Sequence, residues 1–110
     1  MSLPLEGLKV LAFEQYGAGP FGSQYLSDLG AEVIKIEPAG TDGDYLRALG
    51  PYFIDEERNS ASSIFFQALN RNKKSITLNI LSAKGKEILG KLVKTSDAVC
   101  NNLSCLLYTS

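Results

Sequence analysis

Within the first 37 of its 110 residues, this chain sets out a strand, a glycine-rich turn, a helix and a second strand, an order that restricts the fold more than any other feature. The apolar run Leu8-Lys9-Val10-Leu11-Ala12-Phe13 leads into Gly17-Ala18-Gly19-Pro20-Phe21-Gly22, and Ala31-Glu32-Val33-Ile34-Lys35-Ile36-Glu37 follows the helix. A βαβ unit of this kind requires parallel strands and offers backbone N–H groups at the start of its helix to an anionic ligand. Pro20 suits the first helical turn, and Gly30 suits the left-handed position after the last one. Phe21, Tyr25 and Leu29, with Leu26 beside them, predict an apolar stripe laid on the sheet. Gly22 predicts a close approach of helix to strand. The spacing matches G-x-G-x-x-G, and Glu37, twenty residues after Gly17, is the candidate ribose partner.

Further along, the signals change and then repeat. Pro38 to Ser63 is punctuated by Gly40, Gly43, Gly50 and Pro51 and carries Asp42, Asp44, Asp55, Glu56 and Glu57, which predicts an irregular, acidic excursion, either a lid or subunit contact or a solvated surface loop. A short helix follows, with Ile64, Phe65, Ala68 and Leu69 on one face and Asn59 or Ser60 as its cap. Ile76-Thr77-Leu78-Asn79-Ile80 alternates as a half-buried strand does. Residues 83–94 predict a helix with Ile88, Leu89, Leu92 and Val93 inward, Lys84, Lys86, Lys91 and Lys94 outward, and a Glu87–Lys91 surface pair. Asp97-Ala98-Val99-Cys100 reads as a further strand. The order β-α-β, excursion, β-α-β predicts an open parallel α/β sheet with right-handed crossovers.

Composition narrows the chemistry. The length fits one domain, and 45% hydrophobic with 21% charged residues is ordinary for a soluble globular protein. A net charge of −1 supplies no general attraction to nucleic acid or anionic lipid. The chain has no histidine, so any acid–base or nucleophilic role falls to carboxylates, hydroxyls, lysines or backbone donors. Cys100 and Cys105 lack metal-site spacing and read as thiols of a reducing compartment, so no metal is expected. With no basic apolar leader and no apolar run near the ~18 residues of a span, the expected location is cytoplasmic. Glu14, Glu37, Asp42 and Asp44 fall near the ends of the first two strands, where such residues serve as caps or solvent contacts more often than as catalysts. Arg71-Lys73-Lys74 has no interleaved aromatics and reads as a solvated loop or a salt bridge to the acidic excursion. No nucleophile–base pair is evident. The residues alone reach a phosphate-bearing ligand on an α/β sheet and leave an NAD- or nucleotide-binding module open.

Four ordered segments add a resemblance: Pro4-Leu5-Glu6-Gly7-Leu8-Lys9-Val10-Leu11, Ala18-Gly19-Pro20-Phe21, Leu29 to Pro38, and Asn70-Arg71-Asn72-Lys73-Lys74-Ser75-Ile76-Thr77-Leu78-Asn79. Together they resemble the N-terminus of class III CoA-transferases, a group that includes acyl-CoA racemases, from about Leu3 to Leu103. The resemblance implies a Rossmann-like open parallel sheet with flanking helices, the N-terminal part of a larger interlocked homodimer. Residues 1–103 would then form a coenzyme A-binding part, with 104–110 a non-native or truncated tail. Ala-Gly-Pro would be the significant part of the first turn, and Gly17 and Gly22 incidental. The implied CoA contacts are Gln15, Tyr16, Gly17 and Ala18, then Leu78, Asn79, Ile80 and Leu81, then Asn102 and Leu103. The implied partners are a CoA thioester and a carboxylic acid. In this family an aspartate attacks the thioester and passes through anhydride and aspartyl-CoA intermediates. That aspartate would lie beyond residue 110, so the resemblance implies no catalytic residue here and a fragment inactive alone. Two departures stand out: Pro38 where some members carry a nucleotide-holding arginine, and Cys100-Asn101-Asn102-Leu103 where Val-Glu-Asn-Phe is usual. An acyl-CoA racemase or a dehydrogenase-type nucleotide module are the alternatives.

Overall fold

Val10, Leu11 and Ala12 are shut off from solvent on both faces, the state of a central strand in a covered parallel sheet. A computed structural model of the chain describes residues 2–57 and 62–103. Its elements are β1 (Lys9–Phe13), α1 (Ala18–Asp28), β2 (Glu32–Pro38), a 3-10 turn (Tyr45–Ala48), α2 (Ile64–Asn70), β3 (Lys74–Leu78), α3 (Ala83–Lys94) and β4 (Ala98–Asn101). The four strands pair in the order β3-β2-β1-β4, and every pairing is parallel. Leu11 stands opposite Ile34 on one side and Val99 on the other, and Ile36 opposite Ile76. The expected open parallel α/β sheet is what forms.

Two apolar layers close the sheet. Beneath α3, Leu11, Ile34 and Ile36 pack with Phe13, Ile76, Leu78, Ile80, Leu89 and Leu92. On the opposite face Val10, Ala12, Ala31 and Val33 pack with Leu5, Leu26 and Cys100. Gly30, at φ 107°, takes the left-handed position expected of it, and Ala31 N–H returns to the carbonyl of Leu26 to close the helix. The Glu87–Lys91 pair forms at 3.6 Å on the outer face of α3.

The α1 face is inverted relative to expectation. Phe21, Tyr25 and Leu29 are 54%, 57% and 44% exposed, while Ser23, Gln24 and Ser27 are buried. Toward the strand ends, that sheet face carries buried Glu14, Lys35 and Glu37, and Ser23 donates to the Glu14 carboxylate, while Ser27 donates to the Arg71 carbonyl and Gln24 to Ser27 and Asp28. Helix α2 departs in the same sense. Phe66 points inward, Ile64 and Phe65 stay about half exposed, and Ser63 caps the helix by accepting from Phe66 N–H. The anticipated caps Asn59 and Ser60 lie outside the described residues. In α3, Leu89 and Leu92 face the core as expected, but Ile88 and Val93 are 39% and 46% exposed. The excursion is less irregular than its composition suggests, since it contains the 3-10 turn and an antiparallel bridge between Phe53 and Ser63.

Close approach falls on other glycines than Gly22. A Cβ at Gly22 or Gly17 would meet nothing within 4 Å, whereas one at Gly19 would sit 2.7 Å from the Asn102 side chain and 2.8 Å from Glu14 Cβ. At Gly85 a Cβ would lie 1.8 Å from the backbone oxygen of Asn79, which cannot move without shifting the end of β3. Gly85→Ala is expected to lower stability by about 1–3 kcal/mol as an overpacked site does. Gly22→Ala, in open space within a helix, is expected to raise it by about 0.5–1 kcal/mol. Urea denaturation of the two variants checks the pair.

Candidate functional site

Because every strand is parallel, the four carboxyl ends share one rim. The chain leaves β1 toward β2 on one side, and β4 returns on the other, so the end of β1 is the point at which the strand order reverses. Ligands of open α/β sheets settle in the crevice outside such a point. Gln15, Tyr16, Gly17 and Ala18 form the turn there, and Asn102 and Leu103 leave β4 beside it.

The structure binds these two segments together. Asn102 Oδ1 accepts from Gln15 N–H at 3.1 Å, its Nδ2 donates to the Gln15 carbonyl at 3.0 Å, and its own N–H reaches the Phe13 carbonyl at 3.2 Å. Gly19 leaves the space that the Asn102 side chain fills. Helix α1 opens at the N-cap Gly17 with no side-chain cap and no acidic residue in its first turn. Its first turn therefore offers backbone N–H groups and the positive end of the helix dipole, with no acidic residue within the turn itself.

Leu78 to Leu81 reach the same rim but a different place. They follow β3, two strands from β1 and so roughly 10 Å away at ordinary strand spacing. Leu78 and Ile80 are committed to the core beneath α3, while Leu81 is 76% exposed. Asn79 turns its side chain back to accept from Leu81 N–H, and its carbonyl accepts from Ser82 Oγ. Thus Gln15 and Asn102 meet directly, whereas 78–81 stand apart across β2.

Beneath the rim lies a buried polar network that the motifs did not reveal. Lys35 Nζ, 1% exposed, donates to Asp44 Oδ2 at 2.6 Å and to Asn70 Oδ1 at 2.8 Å. Asp44 in turn accepts from Leu46 N–H at 3.0 Å, capping the 3-10 turn, and from Tyr16 N–H at 3.2 Å. Tyr16 is held at φ 67°, a left-handed conformation that costs a residue with a Cβ about 1–2 kcal/mol. The Asp44 bond and a stack on the Tyr45 ring, 5.3 Å between centroids, hold it there. Lys73 Nζ fills a second buried node, donating to Glu14 at 2.7 Å and to the carbonyls of Pro20 and Leu69 at 2.9 Å. Ser23 donates to the same Glu14 carboxylate. Burial pushes the Lys73 ammonium down, and the bond to Glu14 opposes that. Phe66 roofs the network, with the Arg47 guanidinium 4.1 Å from its ring centre.

The loop carboxylates are thus largely structural. Glu37 forms an ion pair with Arg47 at 2.6 Å and accepts from Ser75 Oγ and Asp44 N–H. Burial alone would raise its pKa, but Arg47, Ser75 and the Asp44 amide outweigh it and hold the group at about 2. A carboxylate so engaged has little left to offer a ribose hydroxyl. The basic cluster pairs elsewhere than expected: Arg71 with Asp28, Lys73 with Glu14 and Lys74 with Glu32, all outside the acidic excursion. One signal for the network was present in the sequence. A lysine at the centre of Val33-Ile34-Lys35-Ile36, a strand covered on both faces, requires a buried counter-ion.

The sequence model of CoA-transferase family III matches residues 5–106. Human succinyl-CoA:glutarate CoA-transferase is 44% identical over 99 residues, covering 90% of this chain and 21% of that protein. An Escherichia coli formyl-CoA:oxalate CoA-transferase is 41% identical over 102 residues, covering 93% and 23%. A crystal structure of a CaiB/BaiF family protein from Brucella suis superposes with a TM-score of 0.82 at 43% identity, covering 94% of this chain and 26% of that one. The chain therefore spans about a fifth to a quarter of the proteins it matches.

Removing one partner of a buried pair leaves the other charge uncompensated, so Asp44→Asn is expected to cost about 3–5 kcal/mol in chemical denaturation. Glu37 sets a pH dependence. Its pKa falls from 4.5 to about 2 on folding, so its stabilisation is fully present above pH 4.5 and is lost as pH falls toward 2. Melting temperatures over that window are expected to fall more steeply for the parent than for Glu37→Gln, which has no carboxylate to titrate.

Proposed function

The chain belongs to CoA-transferase family III, and on that premise we propose that it is the coenzyme A-binding part of a protein that moves CoA between carboxylic acids. The observation that carries this reading is the convergence of Gln15–Ala18 with Asn102 at the switch point of the sheet. An uncapped helix start faces that crevice, suited to the phosphates of the nucleotide end of CoA. Leu103, Asn79 and Leu81 would extend the contact along the rim, with Leu78 and Ile80 supporting it from the core.

In the proposed reaction, an aspartate carboxylate outside these 110 residues attacks the thioester carbonyl. The C–S bond breaks, releasing the CoA thiolate and leaving a mixed anhydride. The thiolate then attacks the aspartyl carbonyl, freeing the first acid and forming an aspartyl-CoA thioester, which the second acid takes through the same steps in reverse. The part played by this chain is to hold and orient CoA, which requires neither histidine nor a catalytic side chain of its own. The exposed apolar faces of α1 and α2 suit burial against further polypeptide and a second copy in a homodimer. The half-buried free thiol of Cys100 accords with a cytoplasmic setting.

A dinucleotide module remains the competing reading, and the engaged Glu37 carboxylate disfavours it. Isothermal titration of the protein separates the two. Saturable binding of CoA with no binding of NAD is expected, and saturable NAD binding without CoA binding would overturn the assignment.

A further inference from the structure

Resting on the CoA reading, we infer that Asp44 is a positioning residue for coenzyme A: it touches no ligand itself and acts by fixing the peptide group between Gln15 and Tyr16. That group is gripped at both ends. Its N–H donates to Asp44 Oδ1 at 3.2 Å, and its carbonyl accepts from Asn102 Nδ2 at 3.0 Å. The two side chains reach it from opposite flanks, one from the loop after β2 and the other from the end of β4. The grip has a conformational consequence. Tyr16 is left-handed at φ 67°, although Gly17 next to it, at φ −107°, is the residue that would take such a conformation most readily.

A backbone outlier of this kind persists only where its surroundings over-determine it. Rotation of the 15–16 peptide would return Tyr16 to negative φ, break the bond to Asp44 and reshape the turn. Asp44 is suited to oppose that rotation because it cannot itself yield. It is 1% exposed, its other oxygen takes the Lys35 ammonium at 2.6 Å, and its own N–H donates to Glu37 Oε1 at 2.7 Å. The buried carboxylate is closed to a ligand, so its influence on CoA passes only through the turn. Without it, the left-handed state of Tyr16 becomes the minor one by about tenfold, and apparent affinity falls by the same factor.

Isothermal titration with CoA tests the assignment in a double-mutant cycle. A lone Asp44 substitution strands the buried Lys35 ammonium, so Lys35→Met and Asp44→Leu are made together, which leaves neither charge of the pair behind. In the parent background the pair is expected to weaken CoA about tenfold. In a Tyr16→Gly background, where the left-handed state needs no support, it is expected to change affinity by no more than about twofold. Equal weakening in both backgrounds, or none in either, refutes the positioning role while the CoA reading stands. A Tyr16→Gly protein that no longer binds CoA also refutes it, since the ring would then outweigh the turn. The unmodified protein supplies a second readout, which carries the test should the double variant fail to fold. A strong intraresidue NOE between Tyr16 N–H and Hα, the mark of positive φ, is expected before any ligand is added, and its appearance only with CoA would overturn the inference. Failure of the parent to bind CoA removes the CoA reading, and the positioning role with it.

Discussion

The buried ion pair between Lys35 and Asp44 is the interaction on which the rest of the arrangement turns. Lys35 lies in the second strand, 1% exposed, in a position that an apolar side chain would ordinarily occupy. An unpaired ammonium there would be prohibitively expensive, so the chain after β2 must bring a carboxylate back over the sheet. Asp44 does so, and its remaining acceptor capacity goes to Leu46 N–H and Tyr16 N–H. One charge pair thereby ties the loop after β2 to the turn after β1.

Its effect spreads through the neighbouring layer. Asn70 shares Lys35 with Asp44 and also accepts from Lys73, whose partner Glu14 sits at the end of β1. Ser23 on α1 and Phe66 on α2 complete the enclosure, the first as a donor to Glu14 and the second as a roof over the cations. The sheet consequently has unlike faces. Under α3 its buried layer is apolar, and under α1 and α2 it turns from apolar at the start of the strands to ionic at their ends. The ionic end is the end that faces the rim. A site framed by fixed charges and backbone hydrogen bonds is well placed to hold a long, anionic ligand without first rearranging.

Much of the fold was legible because its signals are local. The alternation of Ile76-Thr77-Leu78, the run around Val10 and the Gly30 helix end each reflect one strand or one turn, and all three appear as read. The outward apolar face of α1 has a long-range origin. Phe21, Tyr25 and Leu29 read as a sheet-facing stripe because apolar stripes ordinarily face a core, and that rule assumes an apolar surface beneath. Here the surface beneath is charged, a fact that depends on Glu14, Lys73 and Asp44 coming together from distant parts of the chain. The same long-range pairing hid the role of Glu37, whose spacing from Gly17 imitates a ribose partner while its carboxylate is spent on Arg47 and Ser75. For the site, the family resemblance implies contacts at 15–18, 78–81 and 102–103; the amide of Asn102 binds the first turn, while 78–81 stand apart across β2.

A crystal structure of the protein with bound coenzyme A would test the central claim most directly. The account predicts electron density for the nucleotide along Gln15–Ala18 and Asn102, above an intact Lys35–Asp44 pair. Coenzyme A lodged away from the carboxyl ends of β1 and β4, or a Lys35–Asp44 pair broken to admit it, would contradict that account.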